Sequence, residues 1–581
     1  MSTSLEHKRH TLAHLLAAAV LSAYPHAKLT LGPAIDDGFY YDIDFGTGEK
    51  PNDEALKKIE KQMRKILPSW KEFTHETVNA DEAKARFPGN EYKHELIDEI
   101  AARGETITLY TCGAFTDLCR GGHAEHPSKE IPDDSFVLDK VAGSYWRGDE
   151  QKPALTRIYG FAFDTKEELD TYITQREEAK KRDHRKIGKE QGLFVFSELV
   201  GAGLPLWTPK GTILREELND FVWSLRKPRG YKKVTIPHIT KKALYETSGH
   251  WAKYADDLFR IKTREENEYA MKPMNCPHHA QIFDSEPHSY GDMPQRYAET
   301  TMVYRDEQSG ELSGLSRVLS ITQDDAHVFC RADQVTDEAI AIWEIITTFY
   351  GTFGFTLTPR LSRHDPEKKE KYLGTSESWE KAENALKAVM QKMGVADYID
   401  GKGEAAFYGP KIDFMAKDAL GRTHQVATIQ LDFNQPENFD LTCINEKGEK
   451  ERVVMIHAAI MGSIERFLAV YIEHTAGIFP LWLAPTQVKV LPISEKHNEY
   501  GHKVLAALRS AGLRAEIDEA NESLGKKIRN AKTEKVPYIF VVGEKEESSG
   551  TVGVETRAGS EGAQPLDAMV SRLAEEYRNR K

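Results

Sequence analysis

Everything else in the sequence is arranged around the stretch from Tyr269 to Cys330. It opens with MKPMNCPHH and runs on through RYAETTMVYRDEQSGELSGLSRVLSITQDDAHVFC, so one stretch holds thiols, imidazoles, arginines, acids and amides. Cys276 and His327 are of the types that bind zinc, and Arg305 and Arg317 of the types that hold phosphate. Any one of them alone is more often a packed or surface-paired residue than a functional one. A metal-ligand set interleaved with phosphate clamps points to an enzyme that handles a nucleotide together with a small polar substrate. Nucleotide binding of the P-loop or Rossmann kind is disfavoured, because no G-x-x-x-x-G-K-[ST] loop and no G-x-G-x-x-G after a strand occurs.

At 581 residues the chain is long enough for several domains, and 40% hydrophobic with 29% charged residues fits soluble domains with sizeable cores. No apolar run reaches membrane length and no basic-plus-apolar leader opens the sequence. The five cysteines show no disulfide spacing, so a reducing cytoplasm is expected. The net charge of -13 does not speak for nucleic acid, although a whole-chain sum can hide a basic stripe.

Near the start, HTLAHLLAAAVLSAY has helical apolar spacing and sets His10 and His14 on one face. YTCGAFTDLCRGGH sets Cys119 and His123 four apart beside glycines, on a turn or helix start. Two such pairs suit a zinc site, a metal-free polar pocket, or histidines capping the edge of a core. Residues 166–192 are densely charged and read as a solvated connecting helix with a basic end of Lys180, Lys181, Arg182, Arg185, Lys186 and Lys189. Residues 193–480 open with a long amphipathic helix and a strand ending at Pro237. TMVY, FYGPKIDF and QVATIQLDF follow as strands, and MIHAAIMGSIERF as a helix opened by His457 and carrying Arg466. Residues 485–581 alternate strand and helix as a small α/β domain, with Lys526, Lys527, Arg529, Lys532 and Lys535 making one helix basic.

The segments MKPMNCPHH, YRDEQSG, TQDDAHVFC, FYGPKIDF, QVATIQLDF and MIHAAIMGSIERF, in this order, resemble the class II aminoacyl-tRNA synthetases, and within them the bacterial threonyl-tRNA synthetases. The resemblance implies an α+β multidomain protein. An N-terminal α+β editing domain (1–165) and a charged linker helix (166–192) would precede an antiparallel-sheet catalytic domain (193–480) and a C-terminal α/β anticodon-binding domain (485–581). It implies a catalytic-domain zinc on Cys276, His327 and His457, one per chain, and Mg2+ with ATP. Threonine would meet Gln323, Asp325, Tyr408 and Lys411. ATP would meet Arg305, Glu307, Arg317, Gln425, Thr428 and Arg466, with Arg305 and Arg466 catalytic. His10, His14, Lys93, Asp117, Cys119 and His123 would form a metal-free pocket that hydrolyses seryl-tRNA, and Asn521 and Glu546 would read the anticodon. The reaction implied is ligation of L-threonine to tRNA(Thr), in the cytoplasm, by a homodimer built on the long amphipathic helix.

Four departures stand against the family pattern. His278 replaces a usual Gly, Ala458 stands where Arg is frequent, Glu555 stands where Arg is frequent, and the small ubiquitin-like domain that the resemblance would place first is expected to be missing, because Met1 lies only a few residues ahead of His10. The rival readings are a prolyl- or seryl-type synthetase, a tRNA-binding paralogue with lost catalysis, and a freestanding hydrolase. The zinc-ligand set disfavours the first, intact arginines and ligands the second, and an intact second half the third.

Overall fold

The computed structural model describes residues 4–149 and 151–581, and the chain forms two compact units, one running to Glu177 and one from Glu178 to Lys581. No helix among the described residues is long and apolar enough to cross a membrane.

The first unit begins with α1 (Leu5–Ala23), started by Ser4, whose side chain accepts from His7 N. Leu12, Leu15, Leu16 and Val20 bury one side of α1 against Phe39, Tyr41 and Ile43 of β1 (Gly38–Asp44). Each such side chain, fully buried, contributes about 1.5–3 kcal/mol. α2 (Glu91–Ala102) and β2 (Phe115–Leu118) follow, then β3 (Phe136–Tyr145) and β4 (Ala154–Ala162). The main sheet is antiparallel in the order Lys28–Leu29, β1, β4, β3. The turn after β2 is made by Gly121 and Gly122, both at positive φ, so Cys119 and His123 lie on a loop. α3 (Lys166–Lys181) is less solvated than its charge density implies: Leu169 is buried, Tyr172 Oη donates to Asp37, and Arg176 pairs with Asp139.

In the second unit, α4 (His184–Glu190) and α5 (Pro209–Arg226) precede α6 (Cys276–Asp284). An eight-stranded sheet follows. Its long strands are β5 (Gln295–Tyr304), β6 (Ser320–Cys330), β7 (Leu357–Arg363), β8 (Lys411–Lys417), β9 (Thr423–Asp432) and β10 (Val454–Ser463), in the order β5-β6-β10-β9-β8-β7. All these neighbours are antiparallel, and short parallel strands, Lys232–Lys233 and Ile399–Lys402, flank them. One face is apolar: Ala326, Val328, Ile412, Phe414, Ile429, Leu431, Ile456 and Ala458 pack on Ile342, Ile346 and Phe349 of the helix Val335–Thr352. The other face carries the polar side chains described below. α7 (Ile464–Thr475) leaves the end of β10.

The C-terminal part has its own sheet, in the order Ala515–Ile517, Val488–Pro492, Tyr538–Val542, Thr551–Thr556, Gly559–Pro565. The first three strands are parallel and the last two antiparallel. It docks on α5, where Glu217 accepts from Tyr577 Oη at 2.9 Å and pairs with Arg514.

Three local expectations are corrected. The strand expected to end at Pro237 is only Lys232–Lys233. FYGP is not strand: β8 starts at Lys411, and Gly409 lies so close to Leu431 O that a Cβ would come within 1.8 Å. His457 does not open a helix. It sits inside β10, and the helix starts seven residues later, where Ser463 caps Arg466 N after a turn at Gly462 with φ of 72°.

Candidate functional site

Cross-strand partners share a face, and side chains two apart along a strand do too. His327 on β6 pairs with His457 on β10, His457 with Gln430 on β9, and Gln430 with Lys411 on β8. Gln323 and Asp325 lie at steps of two from His327, and Thr428 and Asp432 at steps of two from Gln430. The polar face of the sheet thus gathers Gln323, Asp325, His327, Lys411, Thr428 and His457 from sequence positions up to 134 apart.

Cys276, at the start of α6, brings a thiol to this face, and one donor atom each from Cys276, His327 and His457 lie within 4.8 Å of one another. His327 Nε2 and His457 Nδ1 are 3.1 Å apart. Their outer nitrogens are occupied: His327 Nδ1 lies 2.7 Å from His279 Nδ1, and His457 Nε2 lies 2.9 Å from Asp432 Oδ2. Asp432 is itself fixed by Asn434 N, Gln435 N and Gln435 Nε2. Metal-binding histidines are oriented in this way, with the outer N–H bonded and the inner lone pair free. Burial holds His327 well below its ordinary pKa, so its ring is neutral, and pushes the Cys276 thiol up, which a bound cation would reverse. The donor set fits Zn2+: a thiolate and two imidazoles, with a position left for substrate. Asn275 Nδ2 donates to Asp325 Oδ2 at 2.9 Å, and the Tyr408 ring lies 5.1 Å from that of His457.

Beside the triad, the buried carboxylate of Asp413 on β8 gathers a set of side chains. It accepts from Arg360 Nη2 at 3.0 Å, Ser362 Oγ at 2.7 Å, Gln425 Nε2 at 2.8 Å and Thr428 Oγ1 at 2.9 Å, and pairs with Lys411 Nζ at 3.0 Å. Arg305 follows the end of β5, its guanidinium 5.7 Å from the Tyr254 ring and its Nε buried without a partner. Glu307 and Arg317 meet each other at 2.6 Å, and Glu311 adds a contact to Arg317 at 2.9 Å. An anion approaching Arg317 would compete with these carboxylates. Arg466, on the first turn of α7, is exposed and makes no side-chain hydrogen bond or ion pair among the described residues.

In the first unit, His10 and His14 of α1 meet Cys119 and His123 of the glycine loop, again with donor atoms within 4.8 Å. His10 Nε2 is 3.2 Å from His14 Nε2 and 3.6 Å from Cys119 Sγ, which lies 3.3 Å from His123 Nε2. Behind them Asp117 is fully buried. It pairs with Lys93 Nζ at 2.5 Å, accepts from Tyr41 Oη at 2.5 Å, and faces His14 Nδ1 at 3.4 Å. Burial lowers the pKa of His10, of His14 and of His123, the last to about 2, and raises that of Cys119 to about 11. The cluster is thus a set of neutral imidazoles and a protonated thiol beside an internally neutralised ion pair. A cavity of about 560 Å³ opens on His10, His14, Lys93, Asp117 and Cys119, with Arg103, Arg120, Arg147 and Arg157 also among its lining residues.

Two family models match within the second unit. The tRNA synthetase class II core domain (G, H, P, S and T) matches residues 259–475, and the anticodon binding domain matches 487–576. The threonine–tRNA ligase of Porphyromonas gingivalis is 48% identical over 98% of this chain and 89% of its own length. The chain belongs to the threonine–tRNA ligase family. The ligase of Gloeobacter violaceus is 47% identical over 98% of this chain and 92% of its own length. Among solved structures, one described as the RNA binding domain of threonyl-tRNA synthetase from Cryptosporidium parvum is similar with a TM-score of 0.65. It has 38% identity and covers 68% of this chain and 98% of that one.

Within this family frame the departures find places. His278 is buried on α6, with both ring nitrogens unpartnered and 6.2 Å from the Tyr245 ring, and is not part of the three-donor cluster. Ala458 points to the apolar face, opposite the triad, so its side chain is core and does not border the site. Glu555 lies 3.9 Å from Lys532. Asn521 lines a cavity of about 380 Å³ with Lys496, Asn498 and Glu519, whereas Glu546 is not among the lining residues and accepts from Gly543 N at 3.0 Å. The basic helix Leu524–Thr533 is less basic on its surface than expected: Lys527 is buried and donates to Pro492 O and Asp518 O, and Lys526 pairs with Glu522. Of the basic end of the linker, Lys180, Lys186 and Lys189 stay exposed and unpaired among the described residues, while Arg182 donates to His474 O and Arg185 pairs with Asp183.

The sequence reading missed Asp432, His279, Asp413 and Tyr41, each of which holds a predicted residue in place. His279 stood in plain view three residues after Cys276, and Asp413 and Asp432 are the third residues of the segments KIDF and QLDF. Acids inside otherwise apolar strands were the available signal, because a buried carboxylate persists only when it is paired.

Proposed function

We propose that this chain activates L-threonine with ATP and Mg2+ and transfers it to tRNA(Thr), and that its first unit hydrolyses seryl-tRNA(Thr). The observation that carries the reading is the Cys276–His327–His457 cluster next to Asp325 on the polar face of the sheet. Zinc held there would supply a Lewis-acidic position for the amino and hydroxyl groups of threonine. Asp325 accepts from those groups, and Gln323, Tyr408 and Lys411 close the pocket around them. Valine offers no oxygen and is rejected strongly. Serine lacks only a methyl, which is worth roughly 1–3 kcal/mol. Arg305 stabilises charge that builds on the α-phosphate as the threonine carboxylate attacks, Glu307 meets the adenine side, and Arg317 and Arg466 hold the outer phosphates. Asp413 keeps Gln425 and Thr428 oriented toward the nucleotide. The ribose hydroxyl of the tRNA end then takes the acyl group from the adenylate. Asn521 and Glu546 serve anticodon recognition, α5 the homodimer, and the working compartment is the cytoplasm.

The test is ATP–pyrophosphate exchange with threonine, serine and valine, with and without a zinc chelator. Threonine should exchange fastest, serine measurably and valine hardly at all, and chelation should abolish exchange. Selective exchange with proline or serine would overturn the assignment.

Arg305→Ala and Arg466→Ala should each lose adenylate formation while still binding threonine. Removing one preorganised donor costs about 3–4 kcal/mol, so exchange should fall by ~10²–10³. Threonine binding followed by calorimetry should change little. A variant exchanging at the parental rate would return that arginine to the status of a surface charge.

A further inference from the structure

We propose that His184 is a positioning residue for the loop that presents Arg317 to ATP. This rests on the reading above that Arg317 meets the outer phosphates.

His184 opens α4 and is buried. Its Nε2 accepts from Leu315 N at 3.0 Å, in the middle of the loop between β5 and β6. An accepting Nε2 leaves the ring hydrogen on Nδ1, which donates to Glu473 Oε1 at 2.6 Å. The backbone N of His184 donates to the same oxygen at 3.2 Å, and the other oxygen of Glu473 accepts from Arg422 Nη2 at 2.6 Å. Glu473 lies on α7, the helix that also carries Arg466. One imidazole therefore ties the Arg317 loop to the Arg466 helix.

The loop is shaped to that ring. Gly314 sits at φ of 50° against it, and a Cβ there would come within 2.4 Å of His184 Nε2. Ser313 and Arg317 exchange backbone hydrogen bonds at 3.1 and 3.3 Å across the turn that Leu315 occupies. Leu315 itself is fully buried in the core of the unit. Moving Leu315 N thus moves Arg317, because the turn connects them directly. Glu307 and Glu311 pull Arg317 toward themselves, so a phosphate recovers it only if the turn beneath stays fixed.

Asp183, His184 and Glu473 are spaced as a cation site would be, but their donors are engaged. Asp183 accepts from Arg185, both ring nitrogens of His184 are bonded, and Glu473 is shared between His184 and Arg422. The cluster is a hydrogen-bonded brace.

Pyrophosphate exchange with the full chain gives separate KM values for ATP and threonine. His184→Ala should raise the ATP KM about tenfold, the size expected for one lost buried hydrogen bond with its acceptor removed, and leave the threonine KM within about twofold. His184→Gln, whose amide oxygen can accept from Leu315 N, should recover most of the ATP affinity. Gly314→Ala, which forces the turn off the ring, should raise the ATP KM as His184→Ala does and covers the case in which His184→Ala fails to fold. Arg317→Ala is the control. If it raises the ATP KM and neither His184→Ala nor Gly314→Ala does, the brace is refuted and the ATP reading stands. If Arg317→Ala leaves the ATP KM unchanged, the ATP reading fails and the proposal with it. A parallel rise in both KM values, or a lowered melting temperature with unchanged KM values, assigns His184 a purely structural role and overturns the proposal.

Discussion

Cys276→Ala should give a folded chain that holds no catalytic-unit zinc and activates no threonine. The thiol is one of only three protein donors in the cluster, and two imidazoles alone hold Zn2+ poorly. Cys276 is fully buried at the first turn of α6, so alanine there removes one sulfur and costs about 1 kcal/mol of stability, well short of unfolding. The loss of a Lewis acid worth several kcal/mol should lower exchange by ~10³ or more. Asp432→Asn is the graded companion. It leaves the donors in place but weakens the anchor of His457 Nε2, so zinc retention against a chelator should fall about 10- to 100-fold. Metal content by mass spectrometry, exchange rate and thermal melting measured on the same samples separate the effects. A Cys276→Ala protein that still carries one zinc, or that exchanges threonine normally without metal, defeats the assignment. His278 on the metal in place of Cys276 would do the same.

How much of this could be read before the structure depends on whether the information is local. The helix bearing His10 and His14 follows from periodicity that acts over a short span, while the domain order and the antiparallel sheet rest on the family resemblance. His327 and His457 could not be joined in that way: 130 positions separate them, and strand register places them opposite each other. Family resemblance supplied what register supplies physically. VVMIHAAIM is apolar but for His457, and such a run suits a buried strand as well as a helix, so His457 was expected on the wrong element. The decisive local signals were Gly462 and Ser463, a positive-φ turn followed by a cap. Ala458 is adjacent to His457 in sequence yet faces the core, because successive strand residues point to opposite faces. Lys527 shows the converse problem on a helix: a run of basic residues reads as a charged face, but one of its positions faces inward and caps backbone carbonyls.

His10→Ala or His14→Ala should abolish hydrolysis of seryl-tRNA(Thr), leave threonine activation unchanged and leave zinc at one per chain. The serious alternative is a second zinc, since His10, His14, Cys119 and His123 converge as closely as the catalytic-unit donors do. An ammonium beside a metal cation would be electrostatically unfavourable. The structure weakens this argument, because Lys93 is neutralised by Asp117. Coordination number gives a stronger one. A metal held by all four side chains would have a closed, structural shell with no place for water, whereas His10, His14 and Cys119 line an open cavity where a substrate must reach them. His10 Nδ1 lies 3.2 Å from Gly122 O and His10 Nε2 lies 3.2 Å from His14 Nε2, two contacts for which two neutral rings supply two hydrogens, and His14 Nδ1, 3.4 Å from Asp117, is buried without a hydrogen-bond partner among the described residues. A neutral imidazole of this pair can take a proton from a water attacking the seryl ester, with the Lys93–Asp117–Tyr41 cluster behind the inner ring. Deacylation of preformed seryl-tRNA(Thr) should therefore drop by ~10²–10⁴ in either variant, the range of general acid–base contributions. Threonyl-tRNA(Thr) should be spared by the parental protein. Zinc at two per chain that falls to one in His10→Ala would replace the metal-free pocket with a structural metal site, and a parental protein that leaves seryl-tRNA(Thr) intact would remove the editing assignment.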